Sequence, residues 1–455
     1  MIMTYFTERP YRDVSEDDVF KNQAYFGLSN KFFDREAGAR LYNEYLDEAV
    51  FAEEMGYDAV MLNEHHGTPF CMGAVMNVEA SILARITGKL KIALMGNPLP
   101  TLRNPLRVAE ELAMIDCISH GRLVSGWVRG HGSEQIFASA NPAYNREYFQ
   151  EAHDLILQAW TRPGPFRWEG RHFTYRFINP WVLPYQKPHP PIWIPGLLSP
   201  ETAAWSARHR YPYLGLGTAL AETAELWRAY GEAAAEAGYQ AGPENFGYLQ
   251  HVIVTDNEAK AEELGRAMLY GGGMAGFARP EHTLPPGYNS REATRRLARS
   301  LASGLASGGV FNSTAEVLGV RRSGADRPDT QEQLRHGEIS IAQARAAVQA
   351  TYPAAIKGLG IIAGTPKTVI PRLRRVLEVV RPGIFATFQS QGPVTFADRM
   401  NSIRLLGQEV LPALREFGKE LGLVDPDERT PGSRPYIPGT QLEQLADTDV
   451  LSRPL

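Results

Sequence analysis

From about residue 39 the chain alternates between helical periodicity and short apolar runs, and this alternation restricts the fold more than any other feature of the sequence. "ARLYNEYLDEAVFAEEMG" places Leu41, Tyr45, Ala49 and Ala52 on one helical face and stops at Gly56, where a C-terminal cap residue belongs. "YDAVML" then reads as a strand too apolar to have a wet face. The rhythm repeats in "VMNVEASILARITG" and "LKIALMG", in "NPLRVAEELAMIDCISHG" and "RLVSGWV", and again from "PIWIPG" through "YLGLG" and "FGYLQHVIVTD" to "RPGIFATFQS". With "MTYF" as the opening strand, about eight strand–helix units result, the number that closes a (β/α)8 TIM barrel. An open doubly wound sheet is the alternative.

Two segments break the rhythm. Residues 271–356 form a large insertion, and connections of that size in compact domains usually cover a site; the expected role is an active-site lid, with Phe277 and Tyr288 facing an apolar or bulky substrate. After the barrel, residues 1–418, the stretch 419–455 is rich in proline and charge and poor in apolar residues, and reads as an extended C-terminal arm on this subunit or a neighbour. Between Trp160 and Ile192 a Pro/aromatic stretch predicts a surface excursion with a small hairpin.

Composition narrows the function class. In 455 residues, 47 Lys plus Arg stand against 51 Asp plus Glu, without a long basic run, so nucleic acid is not the expected partner. No apolar run approaches the roughly 18 residues of a membrane helix, no signal-peptide pattern opens the chain, and two cysteines, Cys71 and Cys117, make no disulfide framework. The expectation is a cytoplasmic protein.

In a parallel barrel the reacting groups lie where strands end, because the loops there share one mouth. "NEHH" follows the second strand, "MGNPLPT" the third, "RGHGSEQ" the fourth and "GLLSPET" the fifth. Neighbouring residues of an extended chain point apart, and neither HxH, HExxH nor CxxC spacing occurs, so His65 and His66 predict no metal site. One imidazole suits general-base work near neutral pH, and His66 reads as satisfied by Glu64. Gly96, Asn97 and Pro98 end a strand with exposed backbone against which a flat heterocycle can rest, and a cis Asn97–Pro98 bond is one option. Arg129 beside glycines suits a phosphate. Ser199, Pro200, Glu201 and Thr202 open a helix whose free N–H groups either form a plain cap or hold an anion. "GTPKT" at 364–368 has the same pattern and is taken as a plain cap. No Walker loop or GxGxxG fingerprint is present.

Taken together, "AEEMGYDAVMLNEHH", "LMGNPLPTLRNPLRVAEELAMIDCISHGRLVSGWVRG" and "WIPGLLSPETAAWSA" resemble the luciferase-like flavin-dependent monooxygenases, which include the bacterial luciferase alpha chain. The resemblance runs from about residue 40 to 220. It implies a (β/α)8 barrel that takes FMN as FMNH2 from a separate flavin reductase in a two-component system, uses O2 through a C4a-peroxyflavin, and oxygenates a small organic molecule by hydroxylation or Baeyer–Villiger insertion. By position it implies His65 as base or stabiliser, Glu64 orienting it, Arg129, Ser199 and Thr202 at the flavin phosphate, and Met95, Gly96 and Asn97 beside the ring. It further implies a homodimer. Leu198 and Gly132 depart from the luciferase pattern, so light emission is not implied. The rival readings are an F420-dependent oxidoreductase on the same fold, a metal-dependent barrel hydrolase, and a non-catalytic flavin-binding subunit.

Overall fold

The structure is a computed structural model that describes residues 1–15, 18–19, 27–130, 132–197, 199–274, 285, 287, 291, 295, 333–334, 336–389 and 392–454. Phe277 and Tyr288 lie outside the described residues, as does most of 275–335. Along the chain come β1 (Ile2–Phe6), α1 (Arg35–Glu54), β2 (Ala59–Leu62), α2 (Met76–Ile86), β3 (Lys91–Leu94), α3 (Pro105–Ser119), β4 (Leu123–Val128), α4 (Gly132–Phe137) and α5 (Asn145–Thr161). They are followed by β5 (Ile192–Gly196), α6 (Pro200–Arg208), β6 (Tyr213–Leu216), α7 (Leu220–Glu236), β7 (Phe246–Val254), α8 (Glu258–Met274), α9 (Ile341–Gln349), α10 (Tyr352–Lys357), α11 (Pro366–Val380), β8 (Ile384–Phe388), α12 (Phe396–Leu405) and α13 (Leu411–Glu420).

The eight labelled strands pair in chain order, all parallel, and β8 returns to β1 through Ile2↔Ile384 to Phe6↔Phe388, closing the barrel. The alternation of side chains along each strand divides two cores. Ile2, Phe6, Ala93, Val124, Trp193 and Phe388 fill the interior, while Met3, Tyr5, Val60, Leu62 and Ile92 meet the helices outside. The predicted helical face of α1 is the buried one: Leu41, Tyr45, Ala49 and Ala52 are at most 4% exposed, and Gly56 follows at φ +86°.

Three features were absent from the sequence reading. Ile361–Gly364 is a further parallel strand, paired with the C-terminal half of β7 outside the barrel circuit. Its four residues are all apolar or glycine, too short a run to separate from the helix that follows. Asn97–Pro98 adds a two-residue strand beside β4. The cis peptide in this region is Met95–Gly96 rather than Asn97–Pro98. The excursion before β5 does carry an antiparallel hairpin, Phe166–Glu169 against Thr174–Ile178.

The described end of the insertion, α9 and α10, packs on α8, where the Arg266 guanidinium lies 4.7 Å over the Tyr352 ring and donates to Gln349 O at 2.7 Å. Gly287 lies against Ala143, in the connection between α4 and α5, since a Cβ on it would come within 3.1 Å of Ala143 Cβ. The C-terminal arm runs along its own barrel: Gln240 N donates to Arg434 O at 2.7 Å, Tyr436 N to Gly238 O at 3.1 Å, and Asp447 N to Val379 O at 2.9 Å.

One buried ion pair ties the barrel to its shell. Arg399 on α12 and Glu48 on α1 are both fully buried and meet at 2.5 Å, and Glu48 also accepts from the Tyr5 hydroxyl at 2.6 Å. The Arg399 guanidinium is further satisfied by Val394 O at 2.6 Å. Burial pushes the Glu48 carboxyl up and outweighs the opposing pull of Arg399. Removing one member strands the other charge in the core. Glu48→Leu is expected to destabilise the protein by about 3–5 kcal/mol, read as a lower midpoint of chemical unfolding; an unchanged midpoint contradicts the assignment.

Candidate functional site

The chain leaves β2 into Asn63, Glu64, His65 and His66, and a set of buried contacts holds this corner. Arg9, 2% exposed and at φ +53°, donates to Asn63 O at 2.6 Å and pairs with Glu79 of α2 at 3.0 Å. Gly73 leaves room for that guanidinium, because a Cβ there would collide with it. Asn63 in turn donates its amide to Glu8, the second residue beyond β1.

The two histidines separate as extended neighbours must. His66 Nε2 lies 3.2 Å from Glu64 Oε1, and its ring stacks on Phe137 at 4.7 Å. The other oxygen of Glu64 accepts from Met76 N at 3.0 Å. Val75, the residue before α2, has no side-chain acceptor, so Glu64 supplies the missing cap and places a negative charge at the positive end of the helix. Glu64 therefore does not orient His65, a correction to the role implied by the resemblance. Its carboxylate is engaged by His66 and the start of α2.

His65 turns to other carboxylates. Its Nδ1 lies 2.9 Å from Glu134 Oε1 and its Nε2 3.8 Å from Glu8 Oε2, with its side chain 23% exposed and so still reachable from the mouth. Glu134, on α4 in the loop region after β4, is 2% exposed. Burial disfavours the imidazolium, but Glu134 and then Glu8 outweigh it, and the His65 pKa is raised. Burial also raises the Glu8 carboxyl, against the opposing influence of His65. Neither acid was singled out in the sequence. Both follow strand ends, Glu8 in "TER" after β1 and Glu134 in "GHGSEQ" after β4, so the strand-end rule applied without exception would have included them.

At the end of β3, backbones come unusually close. A Cβ on Gly96 would sit 2.6 Å from Gly126 O, and one on Gly126 would overlap Leu94 O. Only glycine at both positions lets β3 and β4 approach in this way. Met95 and Asn97 are buried at 4% and 0%. Neither side-chain atom of Asn97 has a hydrogen-bond partner among the described residues. Such an orphaned amide is costly unless a bound group completes it.

Arg129 follows β4 directly. Its Nη1 donates to Asn145 Oδ1 at 3.2 Å, and its carbonyl accepts from Gln135 Nε2 at 2.6 Å. On the next strand end, Ser199 caps α6 by accepting from Thr202 N at 3.3 Å and Thr202 Oγ1 at 3.0 Å, and donates to Glu201 at 3.1 Å. Tyr213 joins the two corners: its hydroxyl donates to Leu197 O at 3.3 Å, and its pKa, raised by burial, is drawn back by the charge of Arg129. A guanidinium and the first turn of a helix form a donor set that suits a phosphate, beside the Ser199 and Thr202 hydroxyls, which here donate to Glu201 and Ser199. Together with the unpartnered Asn97 amide, these residues fit a flavin mononucleotide. The helix at 366 differs, because Glu258 already accepts from Thr365 N at 3.0 Å and from both threonine hydroxyls at 2.7 and 2.8 Å. Its N-terminus carries its own carboxylate.

His65, Met95–Asn97, Arg129 and Ser199/Thr202 thus stand on the ends of β2, β3, β4 and β5, consecutive in the barrel, and Glu134 links the first of these corners to the third. Among the described residues no group of three or more His, Cys, Asp or Glu is arranged to hold a metal ion, and no helix is long and apolar enough to cross a membrane.

The family described as luciferase-like monooxygenase matches residues 26–381. Uncharacterized protein y4wF of Sinorhizobium fredii is 34% identical over 176 residues, covering 38% of this chain and 50% of that protein. The alkanal monooxygenase alpha chain of Photobacterium leiognathi is 26% identical, covering 53% and 69%, and the oxygenase component of flavin-dependent trigonelline monooxygenase of Acinetobacter baylyi is 26% identical, covering 35% and 45%. The chain therefore spans about half to two thirds of the length of these relatives. Among solved structures, monooxygenase RslO1 from Streptomyces bottropensis superposes with TM-score 0.61 at 16% identity, covering 91% of this chain and 100% of that one. An F420-dependent secondary alcohol dehydrogenase does so with TM-score 0.54 at 17% identity, covering 82% and 95%; the fold alone is shared with both.

The raised pKa of His65 gives a signed expectation. The pair with Glu134 stabilises the fold fully below the unfolded histidine value of about 6.5, and this contribution is lost as pH rises through the higher folded value. Glu134→Gln is expected to lower the His65 pKa, followed by NMR of the imidazole Cε1–H, and to narrow the stability gap to wild type as pH rises. A titration curve that does not move contradicts the pairing.

Proposed function

This chain belongs to the luciferase-like monooxygenase family, and on that premise we propose that it is a flavin-dependent monooxygenase, with reduced FMN delivered by a separate reductase and O2 as co-substrate. Reduced flavin supplies the electrons, and dioxygen the atom transferred to a small organic substrate. What carries the reading is the order of groups around the mouth: an anion-binding corner at Arg129, Ser199 and Thr202, a glycine-lined strand end with an unpartnered amide, and one reachable imidazole set between two acids.

In this reading, Arg129 and the first turn of α6 hold the phosphate, and Met95, Gly96 and Asn97 support the flat ring through backbone and amide contacts. His65 holds or moves a proton at Nε2, while Glu134 at Nδ1 fixes the tautomer and orientation. Glu64 acts at one remove by anchoring α2 and His66. The insertion, which meets the connection between α4 and α5 at Gly287, would exclude water from the mouth. Val78 and Ile82 of α2 and Met114 and Ile118 of α3 leave apolar side chains exposed on helices packed side by side; these support the proposal of a homodimer.

Anaerobic titration separates the cofactor readings: tight binding of reduced FMN is expected, and binding of F420 alone overturns the proposal. Arg129→Ala is expected to weaken reduced FMN by about 1.5–3 kcal/mol, the worth of a hydrogen bond to a charged group; unchanged affinity removes Arg129 from the site. A substrate screen with a generic flavin reductase, followed by mass spectrometry for a gained oxygen atom, identifies the organic partner. With that substrate, His65→Ala is expected to bind FMN as wild type does, while most of the oxygen consumed appears as hydrogen peroxide. Undiminished product per oxygen contradicts the role of His65.

A further inference from the structure

Half-way round the barrel from Met95–Asn97, the upper end of β7 carries a histidine that the flavin reading does not use. Side chains 247, 249 and 251 of β7 share one face. Leu249 belongs to the interior cluster, and a Cβ on Gly247 would run into Leu214 of the same cluster. His251 therefore points into the barrel. It is in register with Phe388, which is in register with Phe6, so the three side chains form one level at the C-terminal end of the interior. The rings touch in sequence: Phe6 to Phe388 at 4.7 Å and Phe388 to His251 at 4.6 Å. Gly217, at φ +61°, borders the imidazole, and a Cβ on it would stand 3.1 Å from His251 Cε1.

Phe6 and Phe388 are buried, whereas His251 keeps part of its surface accessible. Among the described residues neither ring nitrogen has a hydrogen-bond or ion-pair partner. Burial alone lowers its pKa to about 4, with no charged neighbour contributing. At neutral pH the ring offers one N–H donor and one bare nitrogen acceptor in apolar surroundings. A polar group so placed gains from a ligand that completes it, and an anion there would lose its hydration without a compensating charge.

We propose that Phe6, Phe388 and His251 form the wall that receives the organic substrate, and that this wall takes an uncharged, largely apolar molecule whose single oxygen function is hydrogen-bonded by His251. The proposal rests on the flavin reading, since a ring lying at the end of β3 leaves the opposite side of the mouth to substrate. The wall selects against carboxylates, and Gly217 lets the imidazole pack closely against the end of β6.

The test uses three probes of similar size on the full chain: acetophenone, ethylbenzene and benzoate, with dissociation constants from saturation-transfer NMR and a parallel titration with reduced FMN. Wild type is expected to prefer acetophenone to ethylbenzene by about 3- to 10-fold, the worth of one neutral hydrogen bond, and to bind benzoate least well. His251→Phe is expected to erase the preference while keeping ethylbenzene and FMN affinities, and His251→Gln, which retains both hydrogen-bonding functions, to preserve most of it. Equal affinities for acetophenone and ethylbenzene in wild type, benzoate bound as tightly as the ketone, or a preference that survives in His251→Phe each overturn the wall. A wild type that shows the preference but takes up no reduced FMN overturns the flavin reading alone.

Discussion

Closure of an all-parallel sheet is the constraint from which the rest of this structure follows. Because β8 pairs with β1 in the same direction as every other neighbour, all eight chain segments enter the barrel from one side and leave at the other. Loops far apart in sequence are thereby forced to share one rim. Glu134 reaches His65 across 69 positions for this reason. The close passage of β3 and β4 at Gly96 and Gly126 belongs to the same constraint, since two backbones meet there without side chains between them. The Glu48–Arg399 pair holds α1 and α12 to β1 through Tyr5, on the flank where the circuit closes.

The charges on the rim are distributed so that each buried acid has separate work. Glu64 satisfies His66 and the first N–H of α2. Glu79 neutralises Arg9, whose guanidinium in turn pins the Asn63 carbonyl and so the whole turn after β2. Glu134 and Glu8 are left to face His65 from two sides. His65, still reachable from the mouth, is favoured in its protonated form by these neighbours. His251, on the far side of the mouth, has no such neighbours, and burial keeps it neutral. Two histidines in one barrel end thus hold opposite tendencies because of what faces them.

The two helices opened by Ser/Thr-Pro show why a local pattern does not fix a role. Both present free N–H groups and hydroxyls in the first turn. At Thr365 the carboxylate of Glu258, from a helix more than a hundred residues earlier, already accepts those hydrogens. At Ser199 the acid nearby is Glu201 of the same helix, and a guanidinium borders the corner through Tyr213. The difference lies entirely in which distant side chain the fold brings to the helix end.

Much of the barrel was legible in the sequence, because strand and helix periods are local properties. The run "YDAVML" and the face Leu41, Tyr45, Ala49, Ala52 sit as their patterns require. The strand Ile361–Gly364 was not legible, since four apolar positions carry no period. Of the rim, the strand-end clusters were readable as clusters, and the pairing of His66 with Glu64 follows from neighbours two apart. The partners of His65, the cis bond at Met95–Gly96 and the inward aim of His251 were not. The sequence by itself determined the alternation, and with it a parallel barrel and the rim on which polar groups gather, because those depend on the chain within a few residues. Only the tertiary structure decided which acid meets which imidazole and which nitrogen is left unpaired, because Coulomb and hydrogen-bond energies depend on distances that closure sets between remote segments.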